Sequence, residues 1–330
     1  MIFSFLVLPV ILIDESTINN SSHYSYAEDE IPKIQEDFSI KFDLPRDTKL
    51  KVLFDEAHGQ YYDSNKLKQF LYDIERTFWI EVDINTEQLT ETKLSEYDIL
   101  ILAGLESNLT ESEIDAVKNF VSSGGALFIS GDWYEYFDPS IYNAITGDFG
   151  IYWYDASVKD DTNYDGYNYY PLIHTWSSID YVNFISNNGS FTVKFSGTCL
   201  NITGTVDIVG TGDDDTYAED PNGNIIASGY DVIVFAALDL DSGGRIFASG
   251  STAFLRSNDA EFYLNYNFDN KLFALNVMEW LINEFTDIFE LVQTNVNVTA
   301  FCSPDNSYET LKKLILSANE SLYIMQYLFT

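Results

Sequence analysis

Residues 97–133 read YDILILAGLESNLTESEIDAVKNFVSSGGALFISGDW, and this stretch decides the fold. Its apolar runs Tyr97–Ala103 and Ala126–Ser130 are typical of strands covered on both faces. Between them, Thr110 and Glu113 have the spacing of a capping box, in which a hydroxyl and a carboxylate satisfy two free amides at the start of a helix. A Gly-Gly pair ends that helix, because glycine adopts the left-handed conformation that caps it. The stretch therefore predicts one complete βαβ unit.

The sequence before this unit predicts two more strands, each followed by a helical segment. The predicted elements are a strand over Lys49–Phe54, a helix from Asp63 or Ser64 to about Thr77, a strand over Trp79–Ile84 and a short polar helix within Thr86–Glu96. Strands that alternate with helices favour a parallel sheet with helices on both faces. The carboxyl ends of such strands meet at one edge of the sheet, where open α/β folds bind their ligands.

After Trp133 the pattern changes. A short helix is predicted over Asp138–Thr146, and an ordered surface loop rich in Tyr, Asn and Asp over Tyr154–Trp176. The Tyr-rich residues 152–170 suit either contact with a carbohydrate or protein partner or a plain aromatic surface layer. From Ser190 apolar residues alternate in strands joined by turns such as Asp220–Gly223 and Asp241–Gly244. A final helix over Lys271–Phe285 closes the domain. The predicted fold class is α/β, with three layers around a mainly parallel sheet and added β-hairpins.

The chain is strongly acidic, with 17 Lys and Arg against 52 Asp and Glu and a net charge of −35. Such a surface repels phosphate backbones, which argues against nucleic-acid binding. It suits solubility, cation binding or a salty exterior. The sequence does not identify the partner, which we describe only as an unknown ligand or protein. Association of this protein with a membrane or the cell surface is a further expectation.

The amino terminus predicts export. Ile2–Ile13 is apolar apart from one Ser and one Pro, too short for a bilayer span of about 20 residues but matching the apolar core of a secretory signal. We predict a signal peptide over residues 1–27, a linker over residues 28–48, and an extracellular or cell-surface protein. The alternative for the apolar run is a short buried strand. The basic segment that usually precedes such a core is missing, so we expect the true start upstream.

Asn-X-Ser/Thr sequons agree with export, and four of them are predicted for N-glycosylation: Asn108, Asn188, Asn201 and Asn297. Cys199 and Cys302 are the two cysteines, too few for a cysteine metal site. A disulfide between them is permitted outside the cell, although they fall in different predicted domains. Acidic turns such as Asp213–Asp215 lack the ligand spacing of calcium loops. We predict neither a metal site nor a cofactor.

Polar residues after the predicted strands form a candidate crevice. Asp55 and His58 leave the first strand and Asp132 leaves the strand of the βαβ unit, so carboxylates and an imidazole are available to bind a cation or to act as general acid and base. The alternative is structural, with carboxylates that cap neighbouring loops and a histidine that packs in a turn. The full set predicted for this crevice is Asp55, Glu56, His58, Gly104, Gly131, Asp132 and Ser251.

Three segments taken together resemble a known group: KVLFDEAHG from Lys51, YDILILAG…LTESEIDAVKNFVSSGGALFISGD in the centre, and GGRIFASGSTAF…NFDNKLFALNVMEWL near the end. They resemble the class I glutamine amidotransferase-like fold, in the non-enzymatic branch shared by gliding-motility ABC-transporter auxiliary proteins and an intraflagellar-transport subunit. The resemblance covers residues 49–285 and implies a flavodoxin-like, three-layer architecture.

The resemblance also implies where a nucleophile would stand. In the amidotransferases a cysteine follows the strand that corresponds to Ala126–Ser130, at a sharp turn that presents the thiol to a histidine. Here that turn is Gly131-Asp132-Trp133, which contains no cysteine. We therefore predict no catalytic residue, and an amidotransferase-like domain over residues 49–285 that lacks its nucleophile.

Residues 301–330, FCSPDNSYETLKKLILSANESLYIMQYLFT, resemble the opening of a phospholipase D-like domain. After a linker over residues 286–300, they would supply the first βαβ elements of a second α/β domain. The superfamily's catalytic His-X-Lys-(X)4-Asp motif does not occur in the chain. We therefore expect the catalytic motifs beyond residue 330 and interpret the chain as a fragment or the product of a truncated gene.

Three functional hypotheses follow. In the first, an exported, catalytically silent binding or scaffold domain is fused to a phospholipase D-like phosphodiesterase. In the second, the protein is a non-enzymatic cell-surface binding or structural module. In the third, the edge with Glu56, His58 and Asp132 is an unrecognised hydrolase site.

Overall fold

A computed structural model describes residues 49–78 and 80–286 of the chain. The predicted signal peptide, the first linker and the phospholipase D-like piece lie outside the described residues, as does nearly all of the linker over residues 286–300.

The first half of the described chain alternates strands and helices as predicted. Its elements are β1 (Lys51–Asp55), α1 (Lys68–Phe78), β2 (Glu81–Asn85), α2 (Glu91–Leu94), β3 (Ile99–Ala103), α3 (Glu111–Ser122), β4 (Ala126–Ser130) and α4 (Pro139–Thr146).

The second half is mostly short strands. Its elements are β5 (Ile151–Trp153), β6 (Ser157–Lys159), β7 (Leu172–Ile173), β8 (Thr175–Trp176), α5 (Asp180–Ile185), β9 (Val193–Lys194), β10 (Leu200–Ile202), β11 (Asp207–Thr211), β12 (Tyr217–Glu219), β13 (Ile225–Ser228), β14 (Ile233–Asp239), β15 (Arg245–Ser249) and α6 (Asn270–Thr286).

The main sheet has ten strands within the described residues, in the order β2-β1-β3-β4-β15-β14-β10-β5, with β11 beside β14 and β8 beside β11. Strands β2, β1, β3, β4 and β15 are parallel to one another. Strands β14, β10, β5, β11 and β8 continue the sheet in antiparallel pairs. The predicted α/β class, with a large parallel sheet and added β-hairpins, is confirmed.

Helix α3 begins where its capping box predicts. The Thr110 hydroxyl accepts a hydrogen bond from the Glu113 amide at 3.3 Å, and the Glu113 carboxylate accepts one from the Thr110 amide at 2.8 Å. These two bonds satisfy amides that would otherwise lack partners at the start of the helix. Gly124 follows the helix with φ +107°, in the left-handed region.

The core lies on both faces of the sheet, because successive side chains of each strand point in opposite directions. On one face, Ile99 and Ile101 of β3 are buried together with Phe70 of α1 and residues of α6. On the other face, Leu100 and Leu102 are buried with residues of α3 and α4. Helices on both sides of the sheet give the three layers that the sequence predicts.

The second half contains elements that the sequence did not predict. The predicted surface loop over Tyr154–Trp176 includes β6, β7 and β8, and β6 joins β12 and β13 in a separate three-stranded sheet. Helix α5 and strands β5, β10, β12 and β13 were also missed. Strands of two to four residues are too short to show a repeat of apolar residues, so tertiary pairing defines them. Among the described helices, none has the length and apolar character needed to cross a membrane.

Candidate functional site

The carboxyl ends of four parallel strands meet at one edge of the sheet. Asp55, Ala103, Ser130 and Ser249 are the last residues of β1, β3, β4 and β15, and the registers place these strands side by side. The loops that follow them carry the predicted crevice residues, so this edge is the candidate site.

Asp55 is the centre of a buried polar network at this edge. Its side chain is fully buried, and its Oδ2 lies 2.7 Å from His58 Nδ1. The Asn85 side-chain amide donates to Asp55 Oδ1 at 2.7 Å, and the Gln60 side-chain amide donates to Oδ2. Every contact of this carboxylate therefore goes to a neighbouring loop or strand end, which is how a buried charge is stabilised.

His58 joins Asp55 to the start of α3. Its Nε2 lies 3.2 Å from Glu113 Oε1, and Glu113 also accepts the Leu89 amide at 3.1 Å. Burial alone lowers the pKa of His58, but the hydrogen bonds and negative charges of Asp55 and Glu113 outweigh it, and the pKa is raised. Burial alone raises the pKa of Glu113, but amide and hydroxyl donors from Thr110 and Leu89 outweigh it, and the pKa is lowered.

Both ring nitrogens of His58 are therefore engaged by carboxylates, in an arrangement that fastens three loops together. A general base needs a free nitrogen within reach of a substrate proton. The Asp55–His58–Glu113 network instead matches the structural interpretation of these residues. Glu56 has a comparable role, since its carboxylate accepts the Ser64 amide ahead of α1.

Asp132 makes its contacts with a different set of residues. It is 5% exposed and accepts the Trp133 amide at 2.8 Å. Burial raises its pKa to about 7, against smaller lowering effects from the Trp133 amide, the Tyr62 hydroxyl and Arg256. The hydrogen bonds of Asp132 go to Trp133 and Tyr62, whereas those of the His58 ring go to Asp55 and Glu113, so the predicted acid and base groups share no hydrogen-bond partner.

The turn that corresponds to the amidotransferase elbow is tightly packed. A Cβ atom on Gly131 would lie 2.7 Å from Phe137 and 3.0 Å from Trp153, closer than side-chain atoms tolerate. The Thr252 hydroxyl reaches the same turn, 2.8 Å from Ser130 Oγ and 2.9 Å from the Gly131 carbonyl oxygen. The elbow is thus filled by protein groups.

Two other predicted residues also have structural contacts. Gly104 has φ +64°, its amide donates to the Ser130 carbonyl oxygen at 3.0 Å, and a Cβ atom built on it would lie 2.9 Å from the Tyr62 ring. The Ser251 hydroxyl donates to the Ser196 carbonyl oxygen and its amide donates to Ser249 Oγ, so both groups of this residue already have protein partners. The residue that reaches the elbow is the neighbouring Thr252, which sequence reasoning missed.

A continuous row of aromatic rings lies at this edge, and we call it the aromatic ladder. In spatial order it consists of Tyr61, Tyr136, Trp133, Tyr169 and Tyr167. Successive ring centroids are 6.2, 5.9, 5.6 and 5.0 Å apart, at interplanar angles of 35° or less. Three loops contribute to it: the loop after β1, the loop after β4 and the Tyr-rich loop.

The aromatic ladder is unusually exposed for so many large rings. Tyr61, Tyr136 and Tyr167 are 46%, 53% and 59% exposed, and Trp133 and Tyr169 are half-buried. Contiguous exposed aromatic surface marks binding sites, because Tyr and Trp offer large rigid contact area with a polar tip. The sequence pattern indicated the Tyr-rich loop but not Tyr61 or Tyr136. These two residues lie in other loops, which come next to the Tyr-rich loop only in the folded structure.

One group of carboxylates in the described residues has the geometry to hold a cation. Ligand oxygens of Asp160, Asp213 and Asp215 lie within 4.8 Å of one another. The Thr216 hydroxyl donates to Asp160 at 2.7 Å and lies 2.9 Å from Asp213, and Asn163 donates to Asp213 at 2.6 Å. Hydrogen bonds thus already occupy much of this cluster. The spacing rule for calcium loops did not detect it, because Asp160 comes from a distant loop.

The predicted modification sites fall partly on described residues. Asn108, Asn188 and Asn201 are exposed, whereas Asn297 lies outside the described residues. Cys199 is fully buried, and burial raises the pKa of its thiol to about 12, which makes it unreactive. Cys302 also lies outside the described residues, so the disulfide stays untested.

Comparison with known proteins defines the class. A family model described as the IFT52 GIFT domain matches residues 51–174. Among solved structures, the mmIFT52 N-terminal domain aligns at 15% sequence identity and a TM-score of 0.57, covering 75% of this chain and 100% of that one. No curated protein matches the chain.

Two further structures align at TM-scores below 0.5. A cytoplasmic protein from Salmonella typhimurium gives 12% identity and a TM-score of 0.41, covering 70% of this chain and 98% of that one. A ThuA-like protein from Parabacteroides merdae gives 13% identity and a TM-score of 0.40, covering 72% of this chain and 91% of that one. The alignment to the mmIFT52 N-terminal domain shows that this α/β domain has the same fold. The resemblance to the branch with an intraflagellar-transport subunit is confirmed over residues 51–174.

Proposed function

We propose that residues 49–286 form a non-catalytic scaffold module that binds a protein partner through the aromatic ladder. One observation carries this proposal: protein groups fill the elbow where a nucleophile would stand, and the exposed aromatic ladder lies beside it. Protein-binding surfaces are enriched in Tyr and Trp, and contiguous exposed aromatic surface marks interaction sites. Similarity to the IFT52 GIFT domain supports a scaffold role.

The hydrolase alternative has weaker support. It requires Glu56, His58 and Asp132 to act on one substrate, but each of these side chains is already hydrogen-bonded to a different set of protein groups. His58 is 6% exposed and held by two carboxylates, and Asp132 is 5% exposed. A substrate would have to displace these contacts before either group became available for proton transfer.

Site-specific photocrosslinking in the cells that make the protein tests the proposal. A benzophenone amino acid at Tyr136 is expected to give a covalent adduct with one partner protein, and Trp133→Ala in the same chain is expected to reduce that adduct about tenfold. Tyr72 is the matched control, because it is 47% exposed against 53% for Tyr136 but lies on α1. Equal adducts at the two positions, or an adduct insensitive to Trp133→Ala, would overturn the proposal.

We further propose that this module is exported and joined to a phospholipase D-like domain. The apolar run Ile2–Ile13 and the sequons support export, and the resemblance of residues 301–330 supports the second domain. The genomic sequence past codon 330 is expected to encode two His-X-Lys-(X)4-Asp motifs, and peptide mapping of culture medium is expected to recover residues 49–286. An early stop codon would leave the non-enzymatic cell-surface module, and purely intracellular protein would reject export.

A further inference from the structure

We propose that the partner segment that docks on the aromatic ladder is rich in lysine and arginine. This inference rests on the proposed function and adds the chemistry of the partner to it. It is argued from the charge around the ladder, from the cations that the protein itself places on these rings, and from the way the rings stack.

The chain that builds most of the ladder is almost free of positive charge. Residues 119–193 contain nine Asp and Glu but a single Lys or Arg, Lys159. Acidic side chains stand next to the rings in sequence: exposed Glu135 lies between Tyr134 and Tyr136, and partly buried Asp165, which pairs with Lys194 at 2.8 Å, lies two residues before Tyr167. An acidic surface attracts and orients a basic partner, and it repels an acidic one.

The protein already pairs cations with rings at both ends of the ladder. The Lys66 ammonium lies 3.3 Å from the ring centroid of Tyr61. At the other end Tyr170 packs against Tyr169, and the Lys194 ammonium lies 4.6 Å from the Tyr170 ring. These distances are within the range of favourable cation–π interactions. Tyr61 at one end of the ladder and Tyr170 next to the other end therefore stabilise positive charge in the free protein.

Other rings of the ladder are available for the same interaction with a cation of the partner. Among the described Lys and Arg side chains, none lies over the rings of Trp133, Tyr136 or Tyr167. Tyr136 and Tyr167 are also the most exposed rings of the ladder. A guanidinium group stacks on aromatic rings and forms paired hydrogen bonds with carboxylates, so an arginine can use a ring and a neighbouring acid together.

Ring stacking makes a neutral sugar a poorer occupant. A sugar ring needs a free flat aromatic face, but Tyr167 and Tyr169 cover one another at 5.0 Å and 6°, and Trp133 and Tyr136 stack at 5.9 Å and 26°. An ammonium or guanidinium group needs only part of one ring face and is also attracted by the negative charge of an adjacent carboxylate, an attraction that a neutral sugar lacks.

Peptide titration of the purified protein tests the inference. The probes are ten-residue Arg-Gly, Lys-Gly and Glu-Gly repeat peptides, followed by fluorescence anisotropy at low and high salt. We expect the Arg and Lys peptides to bind, the Glu peptide not to bind, and the double variant Tyr136→Ala/Tyr167→Ala to weaken binding at least tenfold. Tyr72→Ala, matched in exposure on another surface, is expected to change binding less than twofold.

A second pair of variants separates the ladder from general attraction to an acidic protein. Glu135→Gln and Asp115→Asn remove the same charge, beside the ladder and on the exposed side of α3 respectively. The inference requires a larger loss for Glu135→Gln. Equal losses for these two variants, unchanged binding in the double Tyr variant, or tight binding of a neutral hexasaccharide instead of basic peptides would overturn it.

The two proposals fail in distinguishable ways. If photocrosslinking at Tyr136 captures a partner through an acidic or neutral segment, the scaffold function stands and the basic partner is rejected. If neither crosslinking nor basic peptides depend on the ladder, the scaffold function fails at this surface.

Discussion

Asp55→Ala is expected to lower the free energy of unfolding by about 3–5 kcal/mol, because it removes the acceptor shared by three buried donors. His58, Gln60 and Asn85 all direct side-chain atoms at this carboxylate, and Asp55 is fully buried. In a domain of this size the loss corresponds to a fall in Tm of about 10 °C. Urea unfolding followed by tryptophan fluorescence gives the measurement.

The control is Asp115→Ala on the exposed side of α3, which removes the same charge without a buried network. Surface changes of this kind cost less than about 0.5 kcal/mol. If the two variants are equally stable, Asp55 does not organise the loops at this edge, and the structural interpretation of the network is wrong.

The loss caused by Asp55→Ala should depend on pH in a defined direction. The pKa of His58 is raised in the folded protein, chiefly by Asp55 and Glu113 acting against burial. A group with a raised folded-state pKa stabilises the fold fully below its unfolded pKa of about 6.5, and this contribution is lost as the pH rises through the folded value. The difference between wild type and Asp55→Ala is therefore expected to be larger at pH 6 than at pH 9.

Gly250→Ala is expected to cost more than about 4 kcal/mol or to abolish folding, because two backbone segments meet at this residue. A Cβ atom would lie 1.9 Å from the Thr198 carbonyl oxygen. The Gly250 amide donates to the Val234 carbonyl oxygen and its own carbonyl accepts the Thr198 amide, both at 2.9 Å, so the backbone is held on both sides. Soluble yield and thermal unfolding measure the effect.

Gly223→Ala is the control that separates the stability cost of steric overlap from the cost of an unfavourable backbone conformation. Gly223 has φ +83°, and no atom lies within 4 Å of a Cβ built on it, so its replacement costs only the left-handed conformation. That cost is about 1–2 kcal/mol. If the Gly250→Ala protein is as stable as the Gly223→Ala protein, the backbone segments of Thr198 and Gly250 are able to move apart. That result would contradict the close packing of these two segments.

The parallel half of the fold was predictable because its signals are local. A buried strand, the capping box of Thr110 and Glu113 and the Gly124 cap each depend on residues within one short stretch. The antiparallel half was less predictable, since β10, β12 and β13 have three or four residues each and are defined by their partners. The predicted turns at Asp220–Gly223 and Asp241–Gly244 were nevertheless correct, because turn chemistry is also local.

The candidate site divides in the same way. The sequence alone shows that the elbow contains no cysteine and that polar residues follow β1 and β4. The tertiary structure decided which of them meet: His58 pairs with Glu113, 55 residues away, and Asp132 contacts other groups.

The opening stretch, residues 97–133, determined by itself the βαβ unit and the place of its elbow, because helix caps and strand burial are encoded over a few residues. The aromatic ladder was decided by tertiary structure alone, since Tyr61, Trp133 and Tyr167 come from three loops that only the closed sheet edge brings together. Local physics sets the elements. The interaction surface depends on contacts between residues far apart in the chain, which no local pattern encodes.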